Sequence, residues 1–415
     1  MEIVSIDMSS KDTPRASKIL DEDKTAPSPG RIERLLNIFF SFLKLGLTAF
    51  GGPAMVAYIR ELSVRERRWL SEESFSHGVA ICQSIPGATA MQVAAYVGLR
   101  ALGPMGAIAA YVGFGLPAFC LMVALAAIYG KAHDMSLVIS MFKGLQSIVV
   151  AIVANATWTF GLATIRKWQD AALALGAAGF LVAHGSPVVA IAASGLWGVF
   201  LYRRQGPGKE SSVPTQEAGP SKGLRAPLIL IFFVMVGLLA LYALDRKLFD
   251  LATLMLKVDL FAFGGGYASV PLMLHEVVDV RHWMDSKTFM DGIALGQVTP
   301  GPIVITATFV GYLLSGIYGA LVGTVAIFTP SITILMAVVP YFDRLQRHPL
   351  FKRCLRGVLV SFVGLLLAVT IHFSLAIHWA LGQALIAAVA FVAFRMRVDI
   401  LWVVLGGAGV SMLFL

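Results

Sequence analysis

Two lysines stand inside otherwise apolar segments, each six residues before a Phe-Gly-Gly break. Lys44 lies in LKLGLTAFGGPAM at 43–55, and Lys257 lies in the matching segment LKVDLFAFGGGYA at 256–268, 213 residues further on. An ionisable side chain inside a membrane span is a candidate functional residue, because its cost must be offset by a partner or by water. Two ammonium groups brought together by a repeat would neutralise a small anion. The alternative is a lysine that reaches the headgroups, since six helical residues span about 9 Å.

The glycine breaks predict a second contribution to an anion site. Gly51, Gly52, Gly264 and Gly265 interrupt the two segments at equivalent places. A broken helix leaves backbone N–H groups free at the start of the next helical piece, and these groups attract anions. Glycine also lets the backbone approach a ligand closely. The alternative is a tight turn or close helix packing through small residues.

Pro-Gly elements form a second pair of breaks, QSIPGATAM at 83–91 and QVTPGPIVI at 297–305. Two breaks at corresponding places of each repeat point to the binding site of a transporter. The polar side chains around them, with those of Thr89 and Thr306, offer uncharged hydrogen-bond donors to an oxyanion. The alternative is that the hydroxyls bond back to their own helices. The predicted binding residues in these elements are Gln83, Ser84, Pro86, Gly87, Gln297, Thr299, Pro300 and Gly301.

Three acidic residues are candidates for coupling transport to protons. Asp259 follows Lys257 by two residues, a spacing at which side chains do not face each other on a helix. Glu61 and Glu276 follow the glycine breaks and are alternative coupling groups. For both glutamates, an interfacial carboxylate without a function is the competing interpretation.

Composition places the chain in a membrane. The 415 residues are 57% hydrophobic and 14% charged, with a mean hydropathy of +0.78, whereas soluble domains carry about 25% charged residues. The net charge of +9 is attributed to cytoplasmic loops rather than to nucleic-acid binding. The cysteines Cys82, Cys120 and Cys354 form no metal-binding spacing, and the sequence predicts neither a cofactor nor a metal. A catalytic dyad is also missing from the pattern, so an enzyme is not expected.

The chain divides into two similar halves. The expected divisions are a disordered cytoplasmic tail at 1–34, a first repeat at 35–202, a cytoplasmic linker at 203–225, an orientation-inverting helix at 226–244 and a second repeat at 245–415. The fold class predicted is an all-α polytopic membrane protein of about 13 transmembrane helices, with broken or re-entrant helices. The predicted spans are 35–50, 75–100, 104–129, 136–165, 170–184, 186–202, 226–244, 248–263, 288–314, 317–342, 350–375, 378–394 and 398–415.

The extra span at 226–244 reverses the second half, giving two inverted-topology repeats with a cytoplasmic N-terminus and a periplasmic C-terminus. Basic clusters support this orientation, because they mark cytoplasmic loops. The clusters expected inside are Arg166-Lys167, Arg203-Arg204, Arg281/Lys287, Arg344 to Arg356 and Arg395/Arg397. The residues from Arg60 to Arg68 fall outside in this scheme, unless they belong to a re-entrant element.

With these motifs, the sequence resembles the chromate ion transporter (CHR) family in its long two-domain form. The resemblance rests on the FGGP and FGGG segments, on Trp69 and Trp283, on SIPG and VTPG, and on later Gly and Pro matches. It implies a secondary transporter of the bacterial inner membrane that exports chromate with protons and confers chromate resistance. It also implies incomplete discrimination against sulfate and opposite orientation of the two halves.

Two alternatives remain open from the sequence. One is a transporter of sulfate or another oxyanion, and the other is an anion channel without coupling. The expected partners are chromate, with sulfate as a second anion, protons and the lipid bilayer, and no nucleic acid. A homodimer is left open.

Overall fold

The computed structural model describes residues 30–49, 54–132, 135–203 and 224–414, and these residues form helices and their connections. Gly51 and Gly52 fall outside the described residues. Two π-helical turns, Glu61–Glu66 and His275–Val280, follow the second helix of each repeat. The helices of the first repeat are α1 (Arg31–Thr48), α2 (Ala54–Arg60), α3 (Glu72–Ser84), α4 (Thr89–Ala132), α5 (Ser136–Thr164), α6 (Trp168–Val182) and α7 (Pro187–Leu201). The remaining helices are α8 (Arg225–Leu244), α9 (Arg246–Phe261), α10 (Ser269–Leu274), α11 (Ser286–Val298), α12 (Thr306–Val338), α13 (Phe342–Arg347), α14 (Pro349–Ala376), α15 (Leu381–Arg395) and α16 (Ile400–Phe414).

The helices have the length and surface of membrane spans. Five helical segments among the described residues are long and apolar enough to cross a bilayer, and they contain α4, α5, α8, α12 and α14. Helices α6, α7, α15 and α16 are shorter and apolar. Large apolar side chains face outward, for example Phe232 and Phe233 on α8, where Pro227 is the one buried residue. A surface of this kind is stable in lipid, and the chain is an all-α multi-pass membrane protein.

Helices α4 and α12 each double back on themselves. The backbone leaves the helical conformation at Leu102-Gly103 and at Ser315-Gly316, and both glycines have positive φ, +73° and +58°. Gly98 then packs on the carbonyl of Gly106 so closely that a Cβ would overlap it, and Gly311 packs on Gly319 in the same way. Each helix is therefore a hairpin of two antiparallel arms, joined where glycine alone permits the turn.

Helices α3 and α11 also fold back, each on the first arm of the helix that follows it. Gly78 of α3 lies against the Tyr96 ring, and Gly292 of α11 lies against the Phe309 ring. Residues this far apart in one straight helix would be separated by about 25 Å. Two of the predicted spans, 75–100 and 288–314, are therefore re-entrant hairpins rather than single crossings. Hydropathy detects their apolar character but not the reversal of direction at Pro-Gly.

The two repeats run in opposite directions. Thr157 Oγ1 of α5 lies 3.3 Å from Thr370 Oγ1 of α14, its equivalent 213 residues later. Four residues further along α5, Gly161 faces Val363, which precedes Thr370 in α14. Residue numbers rise along one helix as they fall along the other, so these equivalent helices are antiparallel. Contact between identical residues places a local twofold axis at this point.

Two basic clusters that the sequence predicts on one face lie on opposite faces of the structure. Ser286, at the start of α11, hydrogen-bonds to His372 near the end of α14, whereas Arg344 to Arg356 surround the start of α14. Arg281 and Lys287 therefore lie across the membrane from the Arg344 to Arg356 cluster. The expectation that both clusters share one face is wrong. Helix α11 and the first arm of α12 form a re-entrant hairpin, so the chain leaves the membrane on the same face from which it enters.

Residues Arg60 to Arg68 were expected on the face opposite to Arg344 to Arg356, and the path of the chain places them on the same face. They precede α3, which forms a re-entrant hairpin with the first arm of α4. Both ends of this hairpin lie at the face where the second arm of α4 begins. That arm crosses to the start of α5, and α5 is antiparallel to α14. Arg60 to Arg68 consequently share a face with Arg344 to Arg356, so the expectation that these two clusters lie on opposite faces is wrong.

Candidate substrate-binding site

The tips of the two re-entrant hairpins meet at the glycine break of the second repeat. The Gly87 N–H at the first tip donates a hydrogen bond to the Ala262 carbonyl at 2.9 Å. A Cβ at Gly265 would lie 3.4 Å from Thr89 Oγ1, and one at Gly266 would lie 3.1 Å from the Ile303 side chain of the second tip. The structure thus brings the predicted Gly87 and Gly265 together, although they are distant in sequence.

Helix N-termini converge on this junction. The first arm of α4 starts at Thr89, and α12 starts at Thr306, directly after a short 3₁₀ turn at Ile303–Ile305. The first turn of a helix has N–H groups without intrahelical acceptors and carries the positive end of the helix dipole. Residues 264–267 are half-buried, so the junction is accessible. Its free backbone groups are suited to an anion.

Nearby carbonyl groups are already occupied, which leaves donors in excess. The Pro86 carbonyl accepts a hydrogen bond from Gln92 Nε2 at 2.5 Å, and the Ala262 carbonyl accepts from Gly87. Gln297, a predicted binding residue, has a buried amide nitrogen that makes no hydrogen bond of good geometry, and the Tyr267 hydroxyl lies near it. An unpaired buried donor costs free energy until an acceptor arrives, which favours an oxyanion here.

A buried carboxylate adjoins the first tip. Asp259 is fully buried, and its Oδ2 accepts hydrogen bonds from the N–H of Ser331 at 2.8 Å and from its hydroxyl at 2.5 Å. The other oxygen, Oδ1, has no hydrogen-bond partner. Ser331 in turn packs directly on Gly87. The predicted coupling residue Asp259 is therefore one side chain away from the tip.

Lys257 and Glu276, predicted for different roles, are paired with each other. Lys257 Nζ lies 2.5 Å from Glu276 Oε1, and an Arg281 guanidinium nitrogen lies 2.5 Å from Glu276 Oε2. Burial raises the pKa of the Glu276 carboxyl, but the hydrogen bond and charge of Lys257, together with the charge of Arg281, bring it below its ordinary value. Glu276 therefore stays ionised, and the cluster of three side chains carries one net positive charge.

Lys44 and Glu61, the candidates in the first repeat, lie in more open positions. Lys44 is exposed and has no ion pair among the described residues. Glu61 pairs with Arg65 at 3.1 Å, one helical turn away, and half of its side-chain surface is exposed. The position equivalent to Glu276 in the first repeat is Leu62, so the charge cluster occurs once.

The hydroxyls of the Pro-Gly elements bond mainly to their own helices. Ser84 donates to the Ala80 carbonyl, Thr299 to Gly296 and Thr306 to Ile303, each at 2.8 Å. Gln83 is exposed. These contacts match the alternative interpretation, in which the hydroxyls stabilise the breaks. At the other tip, a Cβ on Gly301 would lie 2.8 Å from that of Ala118.

Sequence reasoning missed two side chains at the junction. Gln92, which is fully buried, lies just beyond the first Pro-Gly element, and its polar type inside an apolar helix was an available signal. Ser331 follows Pro330, the repeat partner of Pro117, but its equivalent Ala118 is apolar. The contact between Ser331 and Asp259, which are 72 residues apart, cannot be predicted from the sequence pattern.

Paired re-entrant hairpins within inverted repeats, with helix breaks facing one junction, are an arrangement found in many membrane transporters. The chromate transporter family model matches residues 36–199 and 249–412, and the chain belongs to this family. It is 48% identical over 373 residues to an uncharacterized transporter of Methanocaldococcus jannaschii, covering 89% of this chain and 92% of the relative.

Relatives named for chromate are more distant. A chromate transport protein of Pseudomonas aeruginosa is 31% identical over 381 residues, covering 87% of this chain and 85% of the relative. A probable chromate transport protein of Synechococcus elongatus is 31% identical over 326 residues, covering 78% and 80%. No solved structure matches this chain.

Proposed function

We propose that the protein exports chromate from the cytoplasm across a bacterial inner membrane and thereby confers chromate resistance. The observation that carries the proposal is the convergence of the α4 and α12 N-termini on the Gly264–Gly266 break. A tetrahedral dianion seated there would accept hydrogen bonds from backbone N–H groups and from the free Gln297 amide. Membership of the family and the names of its relatives support chromate as the anion.

The two lysines would provide charge on the route to the junction rather than inside it. Lys44 lies in the repeat that opens to the Arg344 to Arg356 face, and the Lys257 cluster lies in the repeat that opens to the other face. Basic residues favour the cytoplasmic side, so the first of these faces is assigned to the cytoplasm, with the N-terminus inside and the C-terminus outside. Each face then offers a cation to an approaching anion.

Outward movement of a dianion is electrically favourable in a cell with a negative interior. A potential of 100 mV contributes about 2.3 kcal/mol per charge, or roughly 4.6 kcal/mol for chromate. Proton coupling, proposed to act through Asp259, would add to this driving force. The position of Asp259 beside Ser331 and Gly87 allows its protonation to alter the packing of the first tip.

The proposal is tested by chromate accumulation in a chromate-sensitive bacterium that expresses the protein. Wild-type protein is expected to lower the chromate concentration in the cell. With Lys44→Gln or Lys257→Gln, chromate is expected to accumulate again, because each substitution removes a positive charge from one face. Lysine-to-arginine variants keep the charge and are the matched controls. Unchanged efflux in both glutamine variants, at normal protein levels, would exclude the role of the lysines.

Purified protein in liposomes separates the alternatives. Chromate uptake that sulfate suppresses at equal concentration would identify a general oxyanion transporter. A chromate flux that is the same with and without an imposed pH gradient would identify an uncoupled channel. For the proposed exporter we expect chromate preference and a flux that follows the pH gradient.

A further inference from the structure

Asp291 is a second buried carboxylate, held between the two repeats. It lies on α11 and is 5% exposed. Its Oδ2 accepts a hydrogen bond from the Tyr129 hydroxyl at 2.9 Å, and its Oδ1 accepts one from Gln146 Nε2 at 2.8 Å. Both donors belong to the first repeat, so the carboxyl group lies at a contact between the two repeats.

Its surroundings supply hydrogen bonds but no counter-charge. Among the described residues no lysine or arginine lies within ion-pair distance of Asp291, and the nearest charges are Asp285 and Lys287 at the start of its own helix. Of the elements packed on α11, α16 has no ionisable side chain, α12 has only tyrosines, and α14 contributes His372 at this end. The two elements that supply the donors also carry lysines, Lys143 on α5 and Lys131 on α4, and both lysine side chains are exposed and form no ion pair with Asp291. An ionised carboxylate in such a place is costly, and a proton is the smallest group that offsets it.

A route from the aqueous side leads to the start of α11. A cavity of about 170 Å³ lies at the face where α14 ends, lined in part by His184, His275, Asp279 and His372. His372 Nε2 lies 3.0 Å from Ser286 Oγ, and Ser286 precedes Asp291 by five residues, about 7.5 Å along the helix. His372 thus connects this cavity with the first turn of the helix that carries Asp291.

Different residue types occupy the corresponding place on the other face. His77 is equivalent to Asp291, and it packs on Phe342, the equivalent of Tyr129, with ring centroids 6.0 Å apart. The equivalent of Gln146 is Leu359. At this pair of equivalent positions, a carboxylate with neutral donors therefore occurs on one face only. The buried carboxylate of the other face, Asp170, is instead paired with Arg356. This asymmetry distinguishes the two faces although the repeats are inverted.

We infer that Asp291 is the proton-binding site on the face where α14 ends, and that it takes up the proton that is exchanged for the exported anion. The inference rests on proton-linked transport as proposed above. Protonation would turn the carboxyl into a hydrogen-bond donor and change its contacts with Tyr129 and Gln146, which belong to the opposite repeat. Proton binding on this face is thereby linked to the relative position of the repeats.

The test uses full-length protein in liposomes that contain a pH-sensitive dye, with chromate added to drive flux. Wild type is expected to show a proton signal that accompanies chromate movement. Asp291→Asn is expected to reduce that signal at least tenfold and to leave a chromate flux that no longer responds to a pH gradient. Asp285→Asn is the matched control, because asparagine keeps its cap on Thr288 and the signal should remain.

A wild-type proton signal that persists unchanged in Asp291→Asn overturns the inference but leaves proton-linked transport intact. Wild type that moves chromate without any proton signal overturns both, and absence of chromate flux overturns the proposed substrate. Labelling of wild-type Asp291 by dicyclohexylcarbodiimide, read by mass spectrometry, tests proton binding without a variant. Labelling that declines as pH rises supports the inference, and none at any pH overturns it.

Discussion

At the scale of single residues, three acidic groups of the second repeat have no acidic counterpart in the first, while buried Asp170 of the first repeat is equivalent to Gln383. Asp259 is equivalent to Gly46, Glu276 to Leu62 and Asp291 to His77. Gly46 packs directly on the Phe114 backbone, so the first repeat uses close contact where the second uses a carboxylate. The two repeats therefore have similar backbones but different acidic residues at equivalent positions.

Gly87 allows a prediction at this scale. Gly87→Ala places a Cβ on Ser331 Oγ and 2.8 Å from Gln92 Nε2, in a backbone with φ of +118° that an L side chain rarely adopts. We expect overpacking of about 1–3 kcal/mol and loss of most chromate transport, because the first tip is displaced. The measurement is chromate flux in liposomes together with thermal stability in detergent.

Gly130→Ala is the control for that experiment, since no atom lies within 4 Å of its Cβ position. It should behave as wild type. Wild-type flux in Gly87→Ala would show that the tip does not need this close packing.

At the scale of elements, the sequence predicted the breaks but not the direction of the chain after them. Gly and Pro at matching places of a repeat mark interruptions, and the structure has hairpin turns at Pro86-Gly87 and Gly301. Whether a broken helix continues or reverses depends on contacts such as Gly78 with Tyr96, which hydropathy does not report. The hydrogen bonds of Asp291 were not predicted for a related reason, because its partners Gln146 and Tyr129 lie 145 and 162 residues away in the sequence.

The α4 hairpin provides the prediction at this scale. Gly98→Ala puts a Cβ onto the Gly106 carbonyl, and Gly311→Ala does the same at Gly319 of α12. We expect each variant to lose about 1–3 kcal/mol of stability and to yield less monodisperse protein, because backbone cannot yield as a side chain can. Size-exclusion chromatography of membrane extracts provides the measurement.

Gly179→Ala on α6 introduces the same methyl group where no atom lies within 4 Å, and it should leave the yield unchanged. A wild-type profile for Gly98→Ala would argue against antiparallel packing of the two α4 arms.

At the scale of the whole molecule, the inverted repeat fixes which loops share a face. Arg65, in the π-helical turn before α3, and Lys287, in the first turn of α11, are exposed, and the structure places them on opposite faces. We expect a membrane-impermeant maleimide to label Lys287→Cys in intact spheroplasts and Arg65→Cys only after permeabilisation. The background for this measurement lacks the native cysteines Cys82, Cys120 and Cys354.

Arg344→Cys is the control for the inner face and should follow Arg65→Cys. Labelling of Arg65→Cys and Lys287→Cys from one side would contradict the arrangement of hairpins described above.

Helix α8 has a consequence for how the protein is made rather than for what it carries. It touches few other elements and presents nearly all of its surface to lipid, so it contributes little to the junction. We expect that during synthesis α8 reverses the orientation in which the second repeat enters the membrane. Two separately encoded halves would have to acquire opposite orientations independently, and their numbers would have to match. A single chain with α8 settles both orientation and stoichiometry in one translation event.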